Sequence, residues 1–368
     1  NKCMAGCNIE EIGVAVDLGS TTIAIQCFEM NSKDNIGEIT FPNPQYRYGA
    51  DVITRIRHCI DEPRMADTLK SIVWDAIFAE LERLLGEQQS CIATMVISGN
   101  TTMQHLLRGL SVQGLAYAPF EAVTLDKAVE HMTVFGKGIS VVYPPGLSAF
   151  VGADILTGAA YLQMGQTDVY DLLVDLGTNG ELLLLNRTRG YAASTACGPV
   201  FDHAISGAVY GSESIHAIAS CIKRKLIDHN GVIREPFFEK GIEIDKDFVI
   251  HQQNVRNFQL AKGAIYSGIC CLADEAGRSF SEIGNIYISG GFGFYMDVRD
   301  AFTVGLLPKE WRGKITVSGN SSLKGAAEFL FQPDTMQKRC EEIVSRTTGF
   351  ELADLPQFET RYVQALNF

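Results

Sequence analysis

The chain has 368 residues, with 43 Asp plus Glu against 31 Lys plus Arg and a formal net charge of −12 at pH 7. A hydrophobic share of 46% and a charged share of 20% are globular values that exclude a disordered chain, and the length suits about two domains, each with its own core. The acidic balance argues against a nucleic-acid partner, the lack of an apolar run of ~20 residues argues against a membrane span, and Asn1-Lys2-Cys3-Met4 offers no apolar signal core, so a cytoplasmic setting is expected.

In chain order, residues 12–18 (IGVAVDL) read as an apolar strand with Asp17 near its end, and a second strand resumes over 21–29 after a glycine turn. Residues 65–86 place Ile72, Ile77, Leu81, Leu84 and Leu85 near helical spacing and stop at Gly86, which predicts a long amphipathic helix. A buried strand is expected over 93–98 and a helix from Thr101 to Arg108. The stretch 111–150 is irregular, contains Pro119, Pro144 and Pro145, and is expected to be a loop-rich insertion; a helix of small residues follows over 152–164. Then the opening pattern returns: an apolar strand over 171–178 (DLLVDLGT) and a partner over 181–186. Another long helix is predicted over 258–277, with small residues suited to packing against the matching helix of the first half, and a strand over 284–289 runs into Gly290-Gly291-Phe292-Gly293. Alternating strands and helices indicate an α/β fold built from a duplicated half-domain.

Two hairpins could carry chemistry. In Val16-Asp17-Leu18-Gly19-Ser20-Thr21-Thr22, Gly19 leaves room for a phosphate, while backbone N–H groups and the Ser20, Thr21 and Thr22 hydroxyls can donate to its oxygens. Asp17 would face a hydrated Mg2+. The second copy, Val174-Asp175-Leu176-Gly177-Thr178-Asn179-Gly180-Glu181, repeats the arrangement. Thr178 and Asn179 would donate, Gly177 and Gly180 would allow close approach, and Asp175 is a candidate for orienting Mg2+ or an attacking water. Glu181 is expected to face solvent. Paired glycines at Gly290 and Gly291 would let a base and ribose lie against the backbone. Asn100, in Ser98-Gly99-Asn100-Thr101-Thr102, suits both a helix cap and a hinge beside a nucleotide.

The ten cysteines, at 3, 7, 27, 59, 91, 197, 221, 270, 271 and 340, show no Cys-x2-Cys and no paired Cys/His spacing, so they are expected to be mostly buried thiols of a reducing compartment. The seven His are scattered without metal spacing, and no Ser or Cys sits in a nucleophile-elbow pattern.

The order hairpin, hairpin, Gly-Gly resembles the superfamily of actin, sugar kinases and heat-shock chaperones. More specifically, Asn43-Pro44-Gln45, Tyr48-Gly49-Ala50-Asp51-Val52-Ile53, Gly99-Asn100-Thr101-Thr102-Met103, Val151-Gly152-Ala153-Asp154-Ile155, Asp175 to Glu181, Ser194-Thr195-Ala196 with Gly198-Pro199, and Gly290-Gly291-Phe292-Gly293 together resemble the large C-terminal domain of the reductive activators of corrinoid-dependent enzymes. The resemblance runs from about residue 11 to the end. It implies two ribonuclease-H-like, actin-like ATPase halves around an interdomain nucleotide cleft: a linker stub at 1–10, a first half at 11–165 with the insertion near 111–150, and a second half at 166–368. It further implies an ATPase-type activator that uses ATP and Mg2+, with Asp17 and Asp175 as catalytic and metal-facing carboxylates and with Asn100, Gly19 to Thr22, Gly177 to Gly180, Gly290 and Gly291 at the nucleotide. The implied partner is a corrinoid protein, either a corrinoid iron–sulfur protein or a methyltransferase corrinoid subunit, returned from Co(II) to Co(I).

Two departures stand out. Cys3 and Cys7 alone cannot hold the 2Fe-2S cluster usual in the family, so the cluster is expected in a separate or removed electron-donating domain. Asp202-His203 also stands where the family pattern has Glu-Gly. A small-molecule kinase and a nucleotide-switched scaffold are the competing readings on the same fold, and the apolar fraction is compatible with a homodimer.

Overall fold

The computed structural model describes residues 10–201, 212–246, 248–290 and 296–368. Gly291, Phe292 and Gly293 of the third motif, the Asp202-His203 departure, and Cys3 and Cys7 lie outside the described residues. The strands in chain order are β1 (Ile12–Leu18), β2 (Thr22–Glu29), β3 (Asn35–Pro42), β4 (Ile92–Gly99), β5 (Ala128–Val134), β6 (Lys137–Tyr143), β7 (Asp171–Leu176), β8 (Asn179–Leu185), β9 (Gly190–Ala196), β10 (Ile242–Asp245), β11 (Phe248–Ile250), β12 (Ile286–Ser289), β13 (Ile315–Gly319) and β14 (Thr347–Glu351). The helices are α1 (Val52–Asp61), α2 (Arg64–Leu85), α3 (Thr101–Arg108), α4 (Ala153–Tyr161), α5 (Ser212–Lys223), α6 (Gln252–Glu275), α7 (Val298–Thr303), α8 (Ser321–Phe331), α9 (Pro333–Arg346) and α10 (Phe358–Gln364).

The chain divides into two compact units, one formed by the residues up to Leu162 with Ser321–Val344, the other by Gln163–Asn320 with Ser345–Phe368. The sheet of the first unit runs β3-β2-β1-β4-β6-β5. Strands β1, β2 and β3 form an antiparallel meander, and β4 and β6 follow parallel to β1. The second unit repeats this order as β9-β8-β7-β12-β13 and adds β14 beside β9. Each unit is therefore ribonuclease-H-like, with the three-strand meander on one side and two parallel crossovers on the other.

The two-residue period of β1 sorts its side chains. Ile12, Val14, Val16 and Leu18 join Leu69, Val73, Ile77 and Leu81 of α2 in one buried cluster. The opposite face of β1 carries Ala15 and Asp17 and is covered by α8. The second unit follows the same plan. Leu172, Val174, Leu176, Leu182 and Leu184 pack with Phe258, Ile265, Ile269 and Leu272 of α6, leaving Asp175 and its cross-strand partner Glu181 on the other face.

Three features differ from the sequence reading. The stretch 111–150 carries the hairpin β5–β6, and β6 is a sheet strand parallel to β4, because the alternating Ile139, Val141 and Tyr143 bury their side chains. Residues 321–344, placed by sequence in the second half, pack with the first unit as α8 and most of α9. The small residues of α6 serve contacts inside its own unit: Gly263 faces Tyr362 and Leu366, and Gly268 faces Leu182 and Leu352.

Helices α4 and α8 meet at backbone distance. A Cβ added at Gly325 would lie 2.5 Å from the Thr157 carbonyl oxygen and 2.6 Å from its carbon, neither of which can rotate away. Gly325→Ala is expected to cost about 1–3 kcal/mol as an overpacked contact, read as a lower urea midpoint at unchanged slope.

Candidate functional site

In the first hairpin, Asp17 pairs with Ala24 on β2 and with Ser98 on β4. Its Oδ1 accepts from Ser322 Oγ at 2.7 Å; Ser322 Oγ lies 3.0 Å from Ser98 Oγ, which lies 3.0 Å from Thr157 Oγ1. One hydroxyl carries one proton. The Ser322 proton can therefore go to Asp17 Oδ1 or to Ser98 Oγ, and the carboxylate is the stronger acceptor. These hydroxyls are buried, whereas Asp17 is half-buried and able to meet a ligand.

The turn after Asp17 is held from behind. Asn43 Nδ2 donates to the Gly19 carbonyl at 2.8 Å, Arg55 Nη2 to the Ser20 carbonyl at 2.6 Å, and the Asn43 N–H to the Thr21 carbonyl at 2.7 Å. Arg55 is fully buried; it also donates to the Gly49 carbonyl at 3.0 Å and Gln45 Oε1 at 3.2 Å. Burial pulls its guanidinium down to about 10, partly opposed by Asp51, and leaves it charged at neutral pH. The segment from Asn43 to Arg55 thus buckles the hairpin turn to the unit's interior.

In the second hairpin, Asp175 is directly opposite Glu181, and both side chains leave the same face. Glu181 is 7% exposed, which corrects the expectation that it faces solvent. The β7–β8 register puts it on the Asp175 face, whereas a strand starting one residue later would have reversed it. Thr178 is buried, and its carbonyl accepts from the Cys197 N–H at 3.1 Å. A Cβ at Gly177 would meet the Asn179 carbonyl oxygen at 3.5 Å, an ordinary contact, but the space a Gly180 side chain would fill is taken by Ile265 of α6, so Gly180 serves packing. Gly290 has φ +96°, and a Cβ there would meet the Leu176 carbonyl and the Asp175 carboxylate. Only glycine can turn the chain against this hairpin.

Asn100 is the N-cap of α3, with Oδ1 accepting from the Met103 N–H at 2.9 Å. Ser20 is buried, and Thr21, Thr22 and Asn179 are half-buried. Among the described residues no three His, Cys, Asp or Glu side chains converge as a metal cage. A magnesium ion held through phosphates and water needs only one or two carboxylates. Burial pushes the Cys27, Cys270 and Cys340 thiols up to about 12 and Cys271 to about 11, so these remain protonated structural residues. Cys197 is also buried.

A family model described as the RACo middle region matches residues 12–167, and another, the C-terminal domain of RACo, the ASKHA domain, matches 202–368. The corrinoid activation enzyme RamQ of Eubacterium limosum is 30% identical over 97% of this chain and 70% of that protein. The chain belongs to the RACo family. A second relative, the Co(II) methylated amine-specific corrinoid protein reductase of Methanosarcina barkeri, is 24% identical over 97% of the chain and 77% of that protein. The solved reductive activator for corrinoid, iron–sulfur protein matches with a TM-score of 0.88 and 26% identity, over 99% of this chain and 67% of the other.

Sequence reasoning missed Ser322 and Arg55 and turned Glu181 to the wrong side. Ser322 is 305 residues from Asp17 and carried no local signal. Arg55 did carry one: it shares the buried face of α1 with Val52, Ile56 and Cys59, where a solvated arginine does not belong.

His105 on α3 anchors the loop that follows. Its Nδ1 lies 2.7 Å from the Thr101 carbonyl and its Nε2 accepts from the Val123 N–H at 3.2 Å, which requires the neutral ring protonated on Nδ1. Burial lowers its pKa below the usual 6.5, the Thr101 carbonyl opposes this, and Arg108 adds to it. The unfolded chain therefore takes up the proton first. The stability from His105 is present above the unfolded pKa and is lost as pH falls through the folded one. The urea midpoint is expected to fall below about pH 6.5, and to fall less steeply in His105→Gln.

Proposed function

We propose that the chain is an ATP-dependent reductive activator of a corrinoid protein, returning Co(II) cobalamin to Co(I) while slowly hydrolysing ATP. The observation that carries this reading is the repeated hairpin: an acid on the face away from the long helix, followed by a turn with hydroxyl and N–H donors. The names of the relatives, an activation enzyme and two proteins acting on corrinoid proteins, support the corrinoid partner over a small-molecule kinase or a scaffold.

The hairpin β1–β2 contacts one end of the ATP phosphates through the N–H and hydroxyl groups of Ser20, Thr21 and Thr22. The hairpin β7–β8 contacts the other through Gly177, Thr178 and Asn179, with Gly290 and Gly291 at the adenosine. Asp17 and Asp175 are each a candidate carboxylate for magnesium, which when bound would neutralise phosphate charge and polarise the transferred phosphoryl group. Ser322 keeps the Asp17 carboxylate in one orientation. Asp175 orients the attacking water, and Glu181 beside it strengthens the pull on a cation. Reduction to Co(I) is uphill for physiological donors, so ATP must bind the activating conformation more tightly than the resting one for its binding and hydrolysis to drive the step. The electron comes from a separate or removed 2Fe-2S domain or another protein, in a cytoplasmic setting.

Asp175→Ala is expected to lower ATP turnover by about 100-fold or more with the fold intact by circular dichroism; turnover like that of the parent chain would sink the assignment. Ser322→Ala removes one hydrogen bond from Asp17, and a loss of roughly 10–100-fold in magnesium affinity or turnover is expected from such a supporting residue. A magnesium titration of ATP hydrolysis reads it.

A further inference from the structure

We infer that Arg55 is a positioning residue for nucleotide phosphates: from inside the first unit, its buried charge and its hydrogen bond to the Ser20 carbonyl set the donor face of the β1–β2 turn. This rests on the ATP reading above and adds to it a residue that touches no ligand.

Three consecutive carbonyls, of Gly19, Ser20 and Thr21, accept from Asn43 Nδ2, Arg55 Nη2 and the Asn43 N–H. In a planar trans peptide the C=O and N–H bonds point in opposite directions. Turning these carbonyls inward therefore aims the N–H groups of Ser20, Thr21 and Thr22 the other way, as an anion-binding concavity requires. A donor on the carbonyl also polarises the same peptide and strengthens its N–H as a donor.

The Arg55 charge is not spent on a carboxylate. Its four hydrogen bonds go to the carbonyls of Ser20 and Gly49, the amide oxygen of Gln45 and the Met103 thioether. The nearby acid, Asp51, is engaged as the cap of α1, bonding the Thr54 N–H at 2.8 Å and its hydroxyl at 3.1 Å. A buried cation is expensive unless something repays it. Here dipoles satisfy its donors, and its field, little screened by water, reaches through a single peptide toward the outer face of the turn. A polyphosphate on that face is the missing countercharge. A neutral side chain that merely packed α1 against the turn would hold the backbone but supply no such field.

The test is calorimetric titration of this chain with Mg·ATP, Mg·ADP and AMP for the parent, Arg55→Gln and Arg55→Lys. Arg55→Gln is expected to lose about tenfold or more in ATP affinity, less for ADP, and to hold AMP within about twofold, because the lost field acts on the phosphates. Arg55→Lys, which keeps the charge without the planar fork, should fall between the two. If Arg55→Gln binds all three like the parent, or loses all three by the same factor, the inference is overturned and Arg55 is only a packing residue. If the parent itself binds no ATP, the ATP reading falls and takes this inference with it. Should Arg55→Gln fail to fold, Arg55→Lys, which draws the charge away from the Ser20 carbonyl, is read by itself. A loss weighted toward ATP supports the inference, and an equal loss or none overturns it.

Discussion

A β-strand presents alternate residues to opposite faces, and in both units that alternation decides where the acid goes. On β1 the apolar residues at 12, 14, 16 and 18 commit one face to α2, so Asp17 must leave by the other. On β7 the residues at 172, 174 and 176 commit one face to α6, so Asp175 must leave opposite. Each acid is thus fixed by several buried aliphatic side chains, each worth about 1.5–3 kcal/mol of burial. Slipping a strand by one residue would expose that set and bury the carboxylate, two penalties of the same sign. The site inherits its precision from the core.

Fixing the backbone leaves the side chain and the turn to be set. The first unit does both with parts that come from far along the chain. Helix α8 supplies Ser322 to Asp17, and the segment from Asn43 to Arg55 supplies the donors that turn the hairpin's carbonyls inward. The glycine contact between α4 and α8 is what brings Ser322 near enough, since a side chain at Gly325 would push α8 off the Thr157 backbone. In the second unit the Gly290 turn lies directly against Leu176 and Asp175. A nucleotide-driven activator needs such rigid anchors, because a ligand shifts a conformational equilibrium only through the difference in its contacts with the two states.

Much of this was legible in the sequence because the signals were local. The strands at 12–18 and 171–176, the long helices and the glycine turns all announce themselves within a few residues. The duplicated pattern added the fold class, which the two sheet orders bear out. What escaped reading depended on distant partners. The hairpin β5–β6 was hidden by the flanking prolines, although its alternation is clear once the partner strand is known. The side chosen by Glu181 depends on register, and the return of α8 to the first unit depends on tertiary packing alone. Arg55 lies between these cases: its place on an apolar helix face was readable, but the carbonyl it serves was not.

The account's central claim is that nucleotide bound to this chain drives the reduction of a corrinoid. The most direct measurement is the absorbance spectrum of a Co(II) corrinoid protein with a reductant and an electron-transfer domain, recorded with and without this chain and with ATP or ADP. The account predicts that the Co(I) spectrum accumulates only when the chain and ATP are both present. Co(I) formation that ignores either one, or its absence in the complete mixture, would contradict it.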